Sequence, residues 1–122
     1  MPVVLKVNPQ KKVVHSTFFG LVTDQEILEH SQTIRTHPDF KRDYAEIVDL
    51  TMVTEMRVTR AALQKLAEDP SVFEPSVRHA IVAPKDFAFQ EAKAFASFPS
   101  ANRRNLKVVR TAAEAYEFLG LV

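Results

Sequence analysis

Asp49, Thr51, Thr54 and Glu55 bring two carboxylates and two hydroxyls together in one short stretch. Asp49 falls at the carboxyl end of Tyr44–Leu50, an apolar-rich run that reads as a central strand. Ligands of open α/β sheets bind beyond that edge. A carboxylate beside hydroxyls there can orient a small polar ligand or a water. Asp49 and Glu55 would then be the acid–base pair of a small enzyme. The same aspartate can equally accept bonds from loop amides and tie the connection down, because a buried acid needs partners whatever its function. No nucleophile accompanies the pair. There is no Gly-x-Ser-x-Gly elbow, and two glycines cannot build a phosphate-cradling loop. No catalytic residue and no cofactor is assigned on this basis.

The four histidines, His15, His30, His37 and His79, are scattered. His30 and His37 lie two turns apart on any shared helix, too far for one metal ion by themselves. No His-x-x-x-His or Glu-x-x-His pair occurs on a helix, so no metal site is expected. The chain has no cysteine, which excludes disulfides, thiol nucleophiles and Cys-ligated metals.

The segment Asp86–Phe98 is the most informative. At about 100° per residue, Phe87, Ala94, Phe95 and Phe98 share one face of a helix, and Phe89 and Ala96 fall nearly opposite. Glu91 is discordant, projecting near the middle of the Phe87/Phe95 stripe. A helix apolar on more than one side needs a second cover. A second copy in a homodimer, a lipid-like acyl chain or a membrane surface would supply it; simple core packing is the alternative. Asp49 and Thr51 join Phe87, Phe89, Phe95 and Phe98 as candidate contact residues. Arg103, Arg104, Lys107 and Arg110 form the densest basic run, suited to an anionic lipid headgroup or to plain solvation. It lacks interleaved aromatics, and the net charge is only +1, so nucleic acid is not an expected partner.

These residues must be positioned by a compact α/β unit. A length of 122 residues fits one domain, and 46% apolar with 25% charged residues is the balance of a globular chain. Val3–Val7 and Lys12–Gly20 read as strands joined by the Asn8–Lys11 turn, hence an antiparallel hairpin. Thr23-x-x-Glu26 is a capping box opening a helix that His37-Pro38 ends. Tyr44–Leu50 is the next strand, followed by a connection over Thr51–Val58. Thr59 caps a second helix running to about Glu68. Val77–Ala83 is an apolar strand covered on both faces. Asp86 caps the third helix, Leu106–Arg110 is the last strand, and Thr111-x-x-Glu114 opens a helix closed by Gly120. The order β-β-α-β-α-β-α-β-α predicts a mostly parallel sheet of about five strands with one antiparallel hairpin strand and four helices, in a single domain over residues 1–122. No targeting signal opens the chain and no window reaches 18 uncharged apolar residues, so the expected compartment is the cytoplasm.

The stretches Ile47-Val48-Asp49-Leu50-Thr51, Val53-Thr54, Val58-Thr59 with Leu63, Ala80-Ile81-Val82-Ala83-Pro84 and Ala115-Tyr116-Glu117-Phe118-Leu119-Gly120 carry a family likeness in their order and spacing. The chain resembles the SpoIIAA-like proteins of bacteria, a branch of the STAS superfamily that is also likened to CRAL-TRIO lipid-transfer domains. The likeness covers nearly the whole chain. It implies a non-catalytic binding module whose third helix borders an apolar pocket and touches membrane. Sigma-regulating members carry an Asp-Ser-x-Gly motif whose serine is phosphorylated to switch partner binding. Counted from Asp49, the matching stretch here is Arg57-Val58-Thr59-Arg60, without the aspartate, serine or glycine. Thr59, one position on, is the residue left to carry a phosphate, or to act as an ordinary N-cap. The expectation is a binding module acting through helix 86–98. A protein-interaction regulator and a small Asp49/Glu55 enzyme are the alternatives.

Overall fold

The computed structural model describes residues 3–100 and 102–121. Five strands form one sheet in the order β1-β2-β3-β4-β5: β1 (Val3–Asn8), β2 (Val13–Thr23), β3 (Ala45–Arg57), β4 (Arg78–Val82) and β5 (Asn105–Val109). β1 is antiparallel to β2 and the other pairings are parallel. Four helices complete the chain: α1 (Asp24–Arg35), α2 (Arg60–Glu68), α3 (Asp86–Ser97) and α4 (Ala112–Leu119). The expected α/β architecture is the observed one.

Strand alternation sorts the side chains into two layers. Phe18 and Val22 of β2, Leu50 and Val53 of β3 and Ile81 of β4 pack against Leu63 and Ala67 of α2 and Ala88, Ala92 and Phe95 of α3. Further along the same face, Val14 meets Ile34 of α1, with Tyr44, Val72, Phe73 and Val77 from the connections. The opposite face carries Val13, Ile47, Ala80, Val82 and Val109, covered by Ala115 of α4 and the half-buried Phe118 and Leu119. Three helices thus cover one face, while α4 lies over β3, β4 and β5 on the other.

Three boundaries differ from the sequence reading in ways that bear on the site. Thr51–Arg57 is not a connection but the second half of β3, and β2 continues past Gly20 to Thr23. Thr17 pairs with Asp49 but Phe19 with Met52, and Gly20 pairs with Val53 but Leu21 with Glu55. An extra β3 residue at each shift is a β-bulge, and it breaks the period of two that would mark a strand. Gly20, which reads as a strand end, sits at the second shift with φ +64, a conformation that side chains other than glycine's rarely adopt. The N-cap of α3 is Lys85 rather than Asp86, which instead is the first helical residue and binds Arg110.

Both Thr-Glu capping boxes form, at Thr23/Glu26 and Thr111/Glu114. Thr59 caps α2 by accepting from the Ala62 amide at 3.1 Å. Asp24, the first residue of α1, accepts from both the Thr59 amide and its hydroxyl at 2.7 Å, which fastens the starts of α1 and α2 together. Thr59→Ala should therefore lower stability by about 1 kcal/mol, with most of the loss recovered in Thr59→Ser. Urea unfolding with an unchanged slope is the measurement; equal stability of all three proteins would contradict the cap.

Candidate functional site

The face covered by three helices carries one charged residue in its centre. Glu46 lies on β3 in the same row as Val48 and Leu50, and is only 8% exposed. Sheet register puts it opposite His79 of β4, which is 1% exposed. His79 Nδ1 donates to Glu46 Oε1 at 2.7 Å, since an ionised carboxylate can only accept. From α1 above the sheet, His30 brings Nε2 to 3.8 Å from Glu46 Oε2. Arg103, in the connection before β5, folds inward: it donates to the Leu66 carbonyl at 3.0 Å and its guanidinium stands 5.7 Å from the centre of the Phe95 ring.

The electrostatics follow from this packing. Burial alone pushes the Glu46 carboxyl up, but the His79 hydrogen bond and the charges of His79, His30 and Arg103 outweigh it and hold the group below its ordinary range. Burial pushes the His30 imidazole down, against a smaller opposing pull from Glu46. Burial lowers Arg103 as well, partly offset by Glu46 and Asp69, though a guanidinium stays protonated. At neutral pH the cluster is a carboxylate and a guanidinium with an uncharged His30. Neither ring nitrogen of His30, nor His79 Nε2, has a hydrogen-bond partner within the described protein.

Beside this cluster lies a chamber of about 110 Å³ between the sheet and α1, α2 and α3. Its walls are chiefly apolar, from Phe18, Ile27, Leu63, Ala92 and Phe95. Glu46 and His30 form its polar end, and the half-buried Ser31, Leu66, Glu91 and Arg103 stand towards the outside. A broader depression near the β1–β2 turn is bordered by exposed Lys6, Asn8, Gln10 and Lys11, so it encloses little.

The residues singled out from sequence lie in several places. Asp49 is not at the end of its strand, because β3 continues to Arg57. It points to the face away from the chamber, accepts from the Thr51 amide at 2.9 Å and lies 3.6 Å from His15. Thr51 is exposed, and Glu55 is an exposed partner of Arg57 at 2.6 Å, so Asp49 and Glu55 form no acid pair. On α3 the buried positions are Ala88, Ala92 and Phe95, so the Phe87–Phe95 stripe is split. Phe95 lines the chamber, whereas Phe87 is 38% exposed. Phe89 is half-buried beneath the Arg110 guanidinium, 3.7 Å from its ring centre, and Phe98 lies under Arg60 at 5.6 Å. Glu91, discordant in the stripe, stands at the chamber. Thr59 is exposed, but Asp24 holds its hydroxyl, and a phosphate there would face that carboxylate. Of the basic run only Arg103 turns inward; Arg104, Lys107 and Arg110 are exposed, with Arg110 on the Pro84 carbonyl and Asp86 and Lys107 over the Phe118 ring.

The other exposed apolar side chains include Val4, Phe19, Leu21 and Met52, on the sheet face that α4 leaves uncovered. Sequence reasoning passed over Glu46, His30 and His79 as site residues. The signal available was the period of two, which puts Glu46 in a row with Val48 and Leu50, and His79 in a row with Val77 and Ile81. Among the described residues, no helix is long and apolar enough to cross a membrane, and no three metal-ligating side chains are gathered for an ion. No family model, curated protein or solved structure matches this chain.

The cluster predicts an acid-sensitive fold. Unfolded His30 takes up a proton near pH 6.5 while the folded group resists it to lower pH. Unfolded Glu46 takes one up near pH 4.5, again above the folded group. In both cases the unfolded state binds more protons, so stability falls as pH drops, first below about 6.5 and again below about 4.5. Urea midpoints should decline from pH 7 to 4, and Glu46→Gln should flatten the lower arm while leaving the upper arm at least as deep, since the carboxylate that pulls His30 up is gone. A midpoint that rises on acidification to pH 5 would contradict the arrangement.

Proposed function

We propose that this chain is a non-catalytic binding module that holds a small, largely apolar ligand in the chamber beneath α1, α2 and α3. The observation that carries the reading is the chamber itself: an aliphatic and aromatic hollow with one polar end, the usual construction of a small-molecule site. The resemblance to SpoIIAA-like proteins supports a binding role and an apolar ligand. With Phe89 and Phe98 under arginines, the inner face of α3 offers the better ligand surface, and Phe95 is the ring that α3 contributes.

The chemistry at the polar end favours binding over catalysis. A general base works best with its pKa near the operating pH, and enzymes raise carboxylates to reach it. Glu46 is driven the other way, and its Oε1 is engaged by His79. Such a carboxylate is a fixed acceptor and a poor proton carrier. Benzene is a suitable first probe, because a dry apolar cavity of roughly 150 Å³ accepts it. Titrated into ¹⁵N-labelled protein, it should bind with a dissociation constant of about 1 mM or tighter and shift the amides around Phe18, Leu63, Ala92 and Phe95. Ser31→Phe should fill the hollow and abolish the response. Shifts confined to Val4, Phe19, Leu21 and Met52, or no response, would contradict the reading.

A further inference from the structure

The gap between His30 and Glu46 says what head group the chamber recognises, an inference that rests on the binding role proposed above. Glu46 Oε1 is occupied by His79, whereas Oε2 has His30 Nε2 at 3.8 Å. That separation is too long for a hydrogen bond, yet one oxygen atom set to the side of the line joining them, about 2.8 Å from each, reaches both. Neutral imidazole presents one N–H and one bare nitrogen, and an ionised carboxylate presents acceptors alone. With the His30 proton on Nε2, an atom bridging the two donates to Glu46 and accepts from His30.

A hydroxyl does both. A ligand carboxylate donates nothing and would bring a second negative charge against Glu46 where the surroundings are poorly polarisable. An ammonium cannot accept from that N–H, and against the other tautomer it would add a second cation where Arg103 already supplies positive charge to Glu46. The remaining surface selects the body of the ligand. Phe18 and Phe95 are aromatic walls, Ile27 and Leu63 aliphatic ones, and about 110 Å³ is room for roughly one ring.

From this geometry we infer that the chamber takes a small neutral phenol, its ring among Phe18, Leu63 and Phe95 and its hydroxyl bridging His30 Nε2 and Glu46 Oε2. Phenol, benzene and benzoate differ only at the head and make the test. Each is titrated at pH 7 into the intact protein, with the backbone amides and the imidazole nitrogens of His30 followed by NMR. Phenol should bind about tenfold more tightly than benzene, the worth of two net hydrogen bonds of modest strength. Benzoate should bind at least tenfold more weakly than phenol. Phenol, and not benzene, should shift the His30 ring nitrogens. His30→Phe, which leaves only the bond to Glu46, should cut the preference for phenol over benzene from about tenfold to about threefold; if that variant does not fold, the ring-nitrogen shifts of the unaltered protein decide. Benzene or benzoate matching phenol, or His30 nitrogens unmoved at saturation with phenol, would overturn the hydroxyl assignment and leave the apolar chamber standing. Failure of all three probes to bind would overturn the binding role and this inference together.

Discussion

An ionised carboxylate in the middle of an apolar sheet face is the constraint around which one side of this protein is arranged. Transfer of an isolated carboxylate into such surroundings is prohibitive, and a buried charge persists only with partners. Glu46 has them in His79, which donates from the neighbouring strand, and Arg103, whose charge comes from the connection entering β5, while His30 stands 3.8 Å away on the helix above. Each partner is thereby fixed. His79 must present Nδ1–H to the carboxylate, Arg103 must turn inward across Phe95, and His30 stays uncharged in its buried position. Removing His79 or Arg103 would leave the carboxylate short of compensation, so these contacts act together rather than separately.

The inward turn of Arg103 has consequences for the surface. Cations that look like a solvated patch in sequence are spent covering aromatic rings. Arg110 lies on Phe89, Arg60 on Phe98, Lys107 and Arg78 on Phe118. A cation over a ring face lets its stem shield apolar area while its charged head stays near water. The aromatic residues of α3 are therefore managed within the chain, with Phe87 the exception. The uncovered apolar area lies elsewhere, on the β1–β2–β3 face around Val4, Phe19, Leu21 and Met52. The helix–sheet side holds a hollow with a charged end, and the opposite side holds an open strip.

Element type and order were legible in the sequence because they rest on local rules. Capping boxes at Thr23 and Thr111, the Thr59 cap and the left-handed Gly120 are each settled within a few residues. The long second half of β3 was hidden, since two bulges interrupt its alternation and its outward positions are Thr51, Thr54 and Glu55, residues that read as a loop. The site was hidden for a different reason. Glu46 and His79 stand thirty-three positions apart, and only strand register brings them together. Asp49 stands out because it reads as the end of a strand, whereas Glu46, one row over, lies inside an apolar run where an acid has no local explanation. A lone buried acid of that kind signals a distant partner, but not which one.

The central claim is that Glu46 is charged while buried. The direct measurement is a pH titration of its side-chain carboxyl by ¹³C NMR in the folded protein. The account predicts the chemical shift of a carboxylate at neutral pH, unchanged on acidification through the ordinary glutamate range near 4.5. A midpoint above that range, with a protonated carboxyl at neutral pH, would contradict it.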